Sequence, residues 1–189
     1  MCDNVQSGIL PEGDTNAVFA TYSVNYDLLG TKEGRENFVS AVKRFPQVLD
    51  ECSEINKTRV TGVISFGRTL WNTLVSGNAE LEGTGAEMFD FPGYGKAPAT
   101  QADFYVHIHS KNGGVCFDCA SMFMELIVPG MLTLTDSVNG FIWRDSRDLT
   151  GFIDGTENPS GTEDREAASL NADRCSFALV QRFEHNLKK

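Results

Sequence analysis

The chain of 189 residues alternates two kinds of apolar segment, and their order limits the folds that it can adopt. Four segments combine β-branched and aromatic residues with alternating polarity, which is typical of strands. Between them, two segments repeat apolar residues at helical spacing. The predicted strands are 17–24, 59–66, 103–109 and 132–144, and the predicted main helices are 31–45 and 113–128. This β-α-β-β-α-β order predicts an α+β, ferredoxin-like domain with an antiparallel sheet.

Local signals set the boundaries of these elements. Thr31 is predicted to cap the first helix, and Pro46 predicts that this helix kinks or ends early. Asn139 and Gly140 predict a bend within the fourth strand. Residues 76–99 hold several glycines and two prolines, so this stretch is predicted to be a long surface loop.

The composition excludes several classes of partner. The formal charge of −10 argues against binding to nucleic acid or to an anionic membrane, since both need a basic surface. No apolar run approaches the ~20 residues of a membrane span. Residues 1–8 lack the basic and apolar regions of a secretory signal, and the five cysteines are an odd number. We therefore expect reduced thiols and a cytoplasmic location.

Residues 151–161, with the sequence GFIDGTENPSG, form the most specific motif in the chain. They place one carboxylate, Asp154, beside a glycine on a predicted tight, exposed turn. Glycine allows the backbone to approach a ligand closely, and loops on a rigid scaffold often carry chemistry. An isolated Asp-Gly pair is also ordinary turn chemistry, in which the aspartate only caps its own turn.

This motif resembles the GxxDG signature of the dye-decolourising peroxidases, haem enzymes with a distal aspartate. Three further stretches support the resemblance in the expected order, and the closest branch is the bacterial class B. These stretches are ISFG at 64–67 with LWNTL at 70–74, FPG at 91–93 with QADFYVHI at 101–108, and SFALVQRFEH at 176–185.

The resemblance implies a haem-dependent peroxidase that uses haem b, hydrogen peroxide and a small aromatic reductant such as a dye, a phenol or a porphyrin-like molecule. Asp154 would then shuttle a proton as general base and general acid. Gly155, Thr156 and Asn158 would contact the haem edge or its propionates, or else only shape the loop. Arg147 would pair either with a propionate or with a nearby carboxylate.

The resemblance also implies a domain organisation. Residues 1–145 are expected to form the N-terminal ferredoxin-like domain, and 146–175 the distal-pocket loop with its aspartate. Residues 176–189 are expected to be the start of a truncated second domain, with its first strand at 176–184. Family members are longer and carry the proximal histidine and distal arginine in that second domain. The chain is therefore expected to be inactive alone, and its unpaired strand edge is expected to cause self-association or a homo-oligomer.

Two alternatives stay open. The chain is either a haem-free remnant that acts as an oligomerising binding module, or it carries a thiol or metal site at Cys116 and Cys119. His107 and His109 would supply imidazole ligands to such a metal. However, both cysteines fall on the predicted apolar face of a helix, where a free cysteine is commonly a small hydrophobic residue, so no metal ligand is assigned.

Overall fold

A computed structural model describes residues 5–85, 88, 90, 92–153 and 155–186. Its elements are β1 (Asn16–Val24), α1 (Tyr26–Leu29), α2 (Lys32–Asn56), β2 (Val60–Phe66), α3 (Arg68–Val75), β3 (Phe104–Ser110), α4 (Gly113–Met124), β4 (Leu132–Phe141) and α5 (Thr162–Ser169). The strands form one antiparallel sheet in the order β2-β3-β1-β4. The predicted ferredoxin-like, α+β architecture is thus confirmed. None of the helices in these ranges is long and apolar enough to cross a membrane.

Helix α2 begins as predicted but ends eleven residues later. The Thr31 side chain accepts a hydrogen bond from the Gly34 amide at 3.0 Å, which caps the helix. The helix then continues through Pro46 to Asn56, so the predicted early end is wrong. A proline inside a helix costs about 3 kcal/mol. Burial of apolar side chains beyond it, including Val48 and Leu49, contributes about 1.5–3 kcal/mol each and outweighs that cost.

Strand β4 continues through Asn139 and Gly140, and both residues stay in regular register with β1, where a bend was predicted. The irregularity of β4 lies earlier, at Thr135. Thr21 and Tyr22 of β1 pair with Asp136 and Leu134, which leaves Thr135 as an extra residue in β4. Gly140 is required for packing and not for a turn. A Cβ atom at this position would lie 2.6 Å from the ring of Phe19 on the neighbouring strand.

The segment after the sheet differs most from the prediction. Helix α5 was not predicted from the sequence. Four of its eight residues are charged and none of its residues is buried, so it lacks an apolar pattern. Residues 176–186 contain no strand and are exposed, so the predicted strand at 176–184 is wrong for the described structure. A strand needs hydrogen-bonding partners along its length. Here the tail is held to β4 by an ion pair of 2.7 Å between Arg182 and Asp136.

Helices α2 and α4 cover one face of the sheet and enclose the core. Phe104 of β3 lies at its centre, with ring centroids 5.5 Å from both Phe38 and Phe66 and 6.3 Å from Phe123. The Phe104 side chain is 1% exposed. This cluster joins strands β2 and β3 of the sheet to both main helices through aromatic contacts, which add to the burial of apolar area.

The outer edge of β2 is covered by the N-terminal segment. The Gln6 amide group accepts from the Ile64 backbone N–H at 2.9 Å and donates to the Ile64 carbonyl at 3.0 Å. The Gly8 N–H donates to the Gly62 carbonyl at 3.0 Å, while the Gly62 N–H donates to Ser7 Oγ at 3.2 Å. Backbone groups that would otherwise template another strand are thereby satisfied. Any strand-edge association must therefore use the opposite side of the sheet.

Candidate active site

The segment that leads to residue 154 is organised by Arg147. Its guanidinium group donates to both carboxylate oxygens of Asp145, at 2.9 and 3.1 Å, and to the Gly151 carbonyl at 2.8 Å. Isolated β-bridges also join Arg147 to Trp143 and to Ile153. Two partners were predicted for Arg147, a haem propionate or a nearby carboxylate. The structure shows a carboxylate partner, that of Asp145. The ion pair and the bridges fold residues 143–153 into a compact hairpin-like turn.

The Asp148 carboxylate stabilises the same turn by accepting hydrogen bonds from residues within it. Its Oδ1 atom accepts from the Thr150 backbone N–H at 2.8 Å, the Thr150 hydroxyl at 2.6 Å and the Phe152 N–H at 3.2 Å. These bonds, the Thr150 hydroxyl first, hold the pKa of Asp148 below its usual value. Gly151 has a φ of 100°, which the turn requires and which a residue with a Cβ rarely adopts.

Asp154 lies outside the described residues, and the chain beyond it folds into a second turn. The Asn158 N–H donates to the Gly155 carbonyl at 3.1 Å, and Gly155 has a φ of 76°. A Cβ atom at Gly155 would lie 3.1 Å from the Asn158 side-chain nitrogen, so the two residues are packed together. Thr156 lies between them and is exposed. Two separately stabilised turns therefore flank position 154.

Comparison with known proteins identifies the family. The profile of the Dyp-type peroxidase N-terminal domain matches residues 6–142, and that of the C-terminal domain matches residues 145–189. The chain belongs to the dye-decolourising, or Dyp-type, peroxidase family. It is 33% identical over 134 residues to a dye-decolorizing peroxidase of Mycolicibacterium paratuberculosis, a match that covers 68% of this chain and 37% of that protein.

Solved structures of the family share the fold. The encapsulated Dyp-type peroxidase of Mycobacterium smegmatis superimposes with a TM-score of 0.65 and 29% identity, over 83% of this chain and 48% of that one. A variant of DypB from Rhodococcus jostii, solved in complex with haem, gives a TM-score of 0.73 at 22% identity, over 89% and 53% of the two chains. The chain thus spans about half the length of these structures and less than two fifths of the Mycolicibacterium relative.

Haem is the cofactor of this family, so the loop around position 154 is compared with the requirements of such a group. Thr156 and Asn158 are exposed hydrogen-bond donors. At Gly151 and Gly161 no atom of the described residues lies within 4 Å of the place where a Cβ would stand, so the backbone there is open. No hydrogen bond or ring contact joins this loop to a histidine in the described part of the chain. The loop therefore presents exposed donors and open backbone at its surface, and the residues described beside it include no iron ligand.

The alternative site at Cys116 and Cys119 has the properties of a packed core. Both thiols are fully buried. Burial raises the pKa of Cys116 to about 11 and raises that of Cys119, so both stay protonated. His107 and His109 lie on the opposite face of the sheet, because alternate residues of β3 face the helices. Across the described ranges, no group of three His, Cys, Asp or Glu side chains is arranged to hold a metal ion.

The face of the sheet opposite helices α2 and α4 carries a polar cluster that was not predicted from the sequence. Asp14 Oδ2 accepts from the Arg59 guanidinium and from the Thr61 hydroxyl, each at 3.1 Å, and only 3% of the Asp14 side chain is exposed. The rings of His107 and His109 stack beside it with centroids 3.8 Å apart. Burial, followed by the neighbouring His109, lowers the pKa of His107 to about 3. Asp14 precedes the first strand, so no periodic pattern indicated that it would be buried.

Proposed function

We propose that this chain is the distal-pocket part of a haem-dependent peroxidase and that Asp154 is its catalytic acid–base residue. The proposal is supported by the position of residue 154, which is flanked by two separately stabilised turns. The chain that contains these turns matches both domain profiles of the family. In this proposal the Asp154 carboxylate takes a proton from one oxygen of hydrogen peroxide and returns it to the other.

The cofactor supplies the redox chemistry when it is bound, and the protein supplies orientation and proton transfer. Gly155, Thr156 and Asn158 are proposed to line the haem edge, with the Thr156 hydroxyl and the Asn158 amide as donors. The reductant is proposed to be a small aromatic molecule such as a dye, a phenol or a porphyrin-like compound. Residues 1–145 are proposed as the N-terminal domain, 146–175 as the distal-pocket loop and 176–189 as the beginning of the second domain.

The role of Asp154 is tested by haemin titration followed by addition of hydrogen peroxide. Sustained oxidation of a reductant is not expected from this chain alone, but the proposal predicts a saturable, shifted Soret band and a single reaction with peroxide. Asp154→Ala is expected to bind haemin equally and to slow that reaction about 10²-fold or more, since positioned acid–base groups contribute this much. Asp173→Asn, which changes an exposed carboxylate elsewhere, is the matched control. A parent chain without a saturable band, or an Asp154→Ala variant that reacts at the parent rate, would contradict the proposal.

We propose a cellular location from the state of the cysteine thiols. The four described cysteines, Cys52, Cys116, Cys119 and Cys175, are all free. Free thiols are the ordinary state in a reducing compartment, which supports a cytoplasmic protein.

A second proposal concerns self-association, which we infer from the C-terminal tail. Four of its apolar side chains, Phe177, Leu179, Val180 and Phe183, are each more than half exposed. The β2 edge is covered, while the tail lies against β4 on the open side of the sheet. Apolar side chains arranged in this way favour burial against a second copy of the chain.

The double substitution Leu179→Asp and Phe183→Asp is expected to shift the protein towards monomer, because added charge opposes burial of the tail. Sedimentation velocity over a range of protein concentrations measures this shift. The matched control, Ser176→Asp with Gln181→Asp, adds the same charge to the same segment without removing apolar surface. Equal sedimentation of parent and both variants at every concentration would refute association through the tail.

A further inference from the structure

The loop around position 154 is tied at its far end to the N-terminal segment. Arg165, on α5, pairs with the Glu12 carboxylate at 2.5 Å and donates from its second terminal nitrogen to the Pro11 carbonyl at 2.9 Å. Arg165 is the only basic residue of α5, whose other charged residues are acidic. The contact therefore joins residues more than 150 positions apart and cannot be replaced by another side chain of the helix.

The near end of the loop is tied to the same segment. The Ile142 N–H, directly after β4, donates to the Thr15 carbonyl at 2.9 Å. Residues 143–153 then continue into the turn that Arg147 and Asp148 hold together. Both ends of the stretch from 142 to 165 thus meet residues 11–15.

Residues 11–15 are themselves fixed to the sheet. The Thr15 N–H donates to the Ser110 carbonyl of β3 at 3.2 Å. Asp14 is buried and accepts from Thr61 of β2, and the Arg59 guanidinium donates to both the Asp14 carboxylate and the Glu12 carbonyl. A segment with this many contacts to β2 and β3 is a rigid support, unlike an exposed loop with few partners.

We propose that residues 11–15 form a clamp that sets the position of the Asp154 loop, with Glu12 and Arg165 as its positioning residues. The proposal rests on the acid–base role of Asp154 proposed above, and it deepens that role by naming what holds the loop. Neither residue contacts the reacting atoms. They act by fixing the start of α5, eight residues after Asp154, where the Arg165 N–H also bonds to the Gly161 carbonyl at 3.1 Å.

Hydrogen–deuterium exchange of the full chain tests the clamp without any cofactor. Glu12→Arg and Arg165→Glu, made singly, are each expected to raise amide exchange in residues 155–166 about three- to fivefold, as for the loss of a local tether. The double variant restores an opposite-charge pair and is expected to bring exchange back towards the parent level. Arg182→Glu, which breaks the ion pair with Asp136 on β4, is the matched control and is expected to leave this segment unchanged.

Two further measurements keep the test decisive. Arg165→Lys retains the positive charge but has fewer hydrogen-bond donors, so amide exchange between the parent and Arg165→Glu levels is expected. This variant also replaces Arg165→Glu in the test if Arg165→Glu does not fold. Unchanged exchange in both single variants, or a double variant that exchanges as fast as the singles, would overturn the clamp. The haemin–peroxide assay is separate. Faster exchange with an unaltered peroxide rate would overturn Glu12 and Arg165 as positioning residues, whereas the role of Asp154 itself is tested by Asp154→Ala.

Discussion

Replacement of Phe104 by alanine is expected to lower the free energy of unfolding by about 3–5 kcal/mol, because it leaves a large cavity at the centre of the core. The Phe104 ring contacts Phe38 of α2, Phe66 of β2 and Phe123 of α4, so one substitution loosens the packing between the sheet and both main helices. Since a domain of this size is stable by only about 5–15 kcal/mol, such a loss removes a large part of the total. Urea denaturation followed by circular dichroism measures it.

Phe117→Ala is the matched control for this substitution. Phe117 lies on α4, yet 66% of its surface is exposed, so its removal leaves no cavity. We expect a change within about 0.5 kcal/mol, as for most surface substitutions. Similar losses at Phe104 and Phe117 would show that the core is not centred on the aromatic cluster.

Acid is expected to destabilise the protein through two half-buried histidines, His107 and His109. The pKa of His107 is lowered to about 3 in the folded state, whereas an unfolded histidine titrates near its ordinary value of about 6.5. Between these two values the unfolded chain binds a proton that the folded chain does not. The stability present above about pH 6.5 is therefore lost as the pH falls towards 3, at up to ~1.4 kcal/mol per pH unit for this residue.

The surroundings of His107 explain the direction of this shift. Its ring packs at a tilt against the rings of Phe19 and His109, with centroids 4.2 and 3.8 Å away, so a charge on it would be poorly solvated. The pKa of His109 is lowered as well, mainly by burial, while Asp14 opposes the shift and Arg59 adds to it. Because both histidines have a lowered pKa in the folded state, both contribute to the loss of stability in acid.

His107→Gln is expected to flatten the dependence of stability on pH, because glutamine does not titrate. Relative to the parent, the variant is expected to retain about 2–3 kcal/mol more of its pH 7 stability at pH 4.5. Urea denaturation at a series of pH values measures the difference. His185→Gln, a change in the exposed tail, should parallel the parent, and a parallel curve for His107→Gln would disprove the burial of that imidazole.

Much of the fold was predictable because it depends on local pattern. Alternation in β3 placed Phe104, Val106 and Ile108 on one face, and these residues are buried against the helices. The helical spacing of Cys116 and Cys119 predicted core positions, where both are found. The GFIDGTENPSG motif identified the family, to which the chain belongs by comparison. The functional assignment of Asp154, Gly155, Thr156 and Asn158 stays a prediction.

Other features depended on contacts that no local pattern contains. Helix α2 continues through Pro46 because the core lies against its second half, and the tail at 176–184 is no strand because it has no partner ladder along β4. Residue types and their spacing determined the order of elements, the buried faces and the family, since each depends on neighbours within a few positions. Tertiary structure alone decided that Asp14 is buried beside His109 and that Arg165 meets Glu12. Such pairs gain their energy only after distant segments have been brought together by the folded sheet.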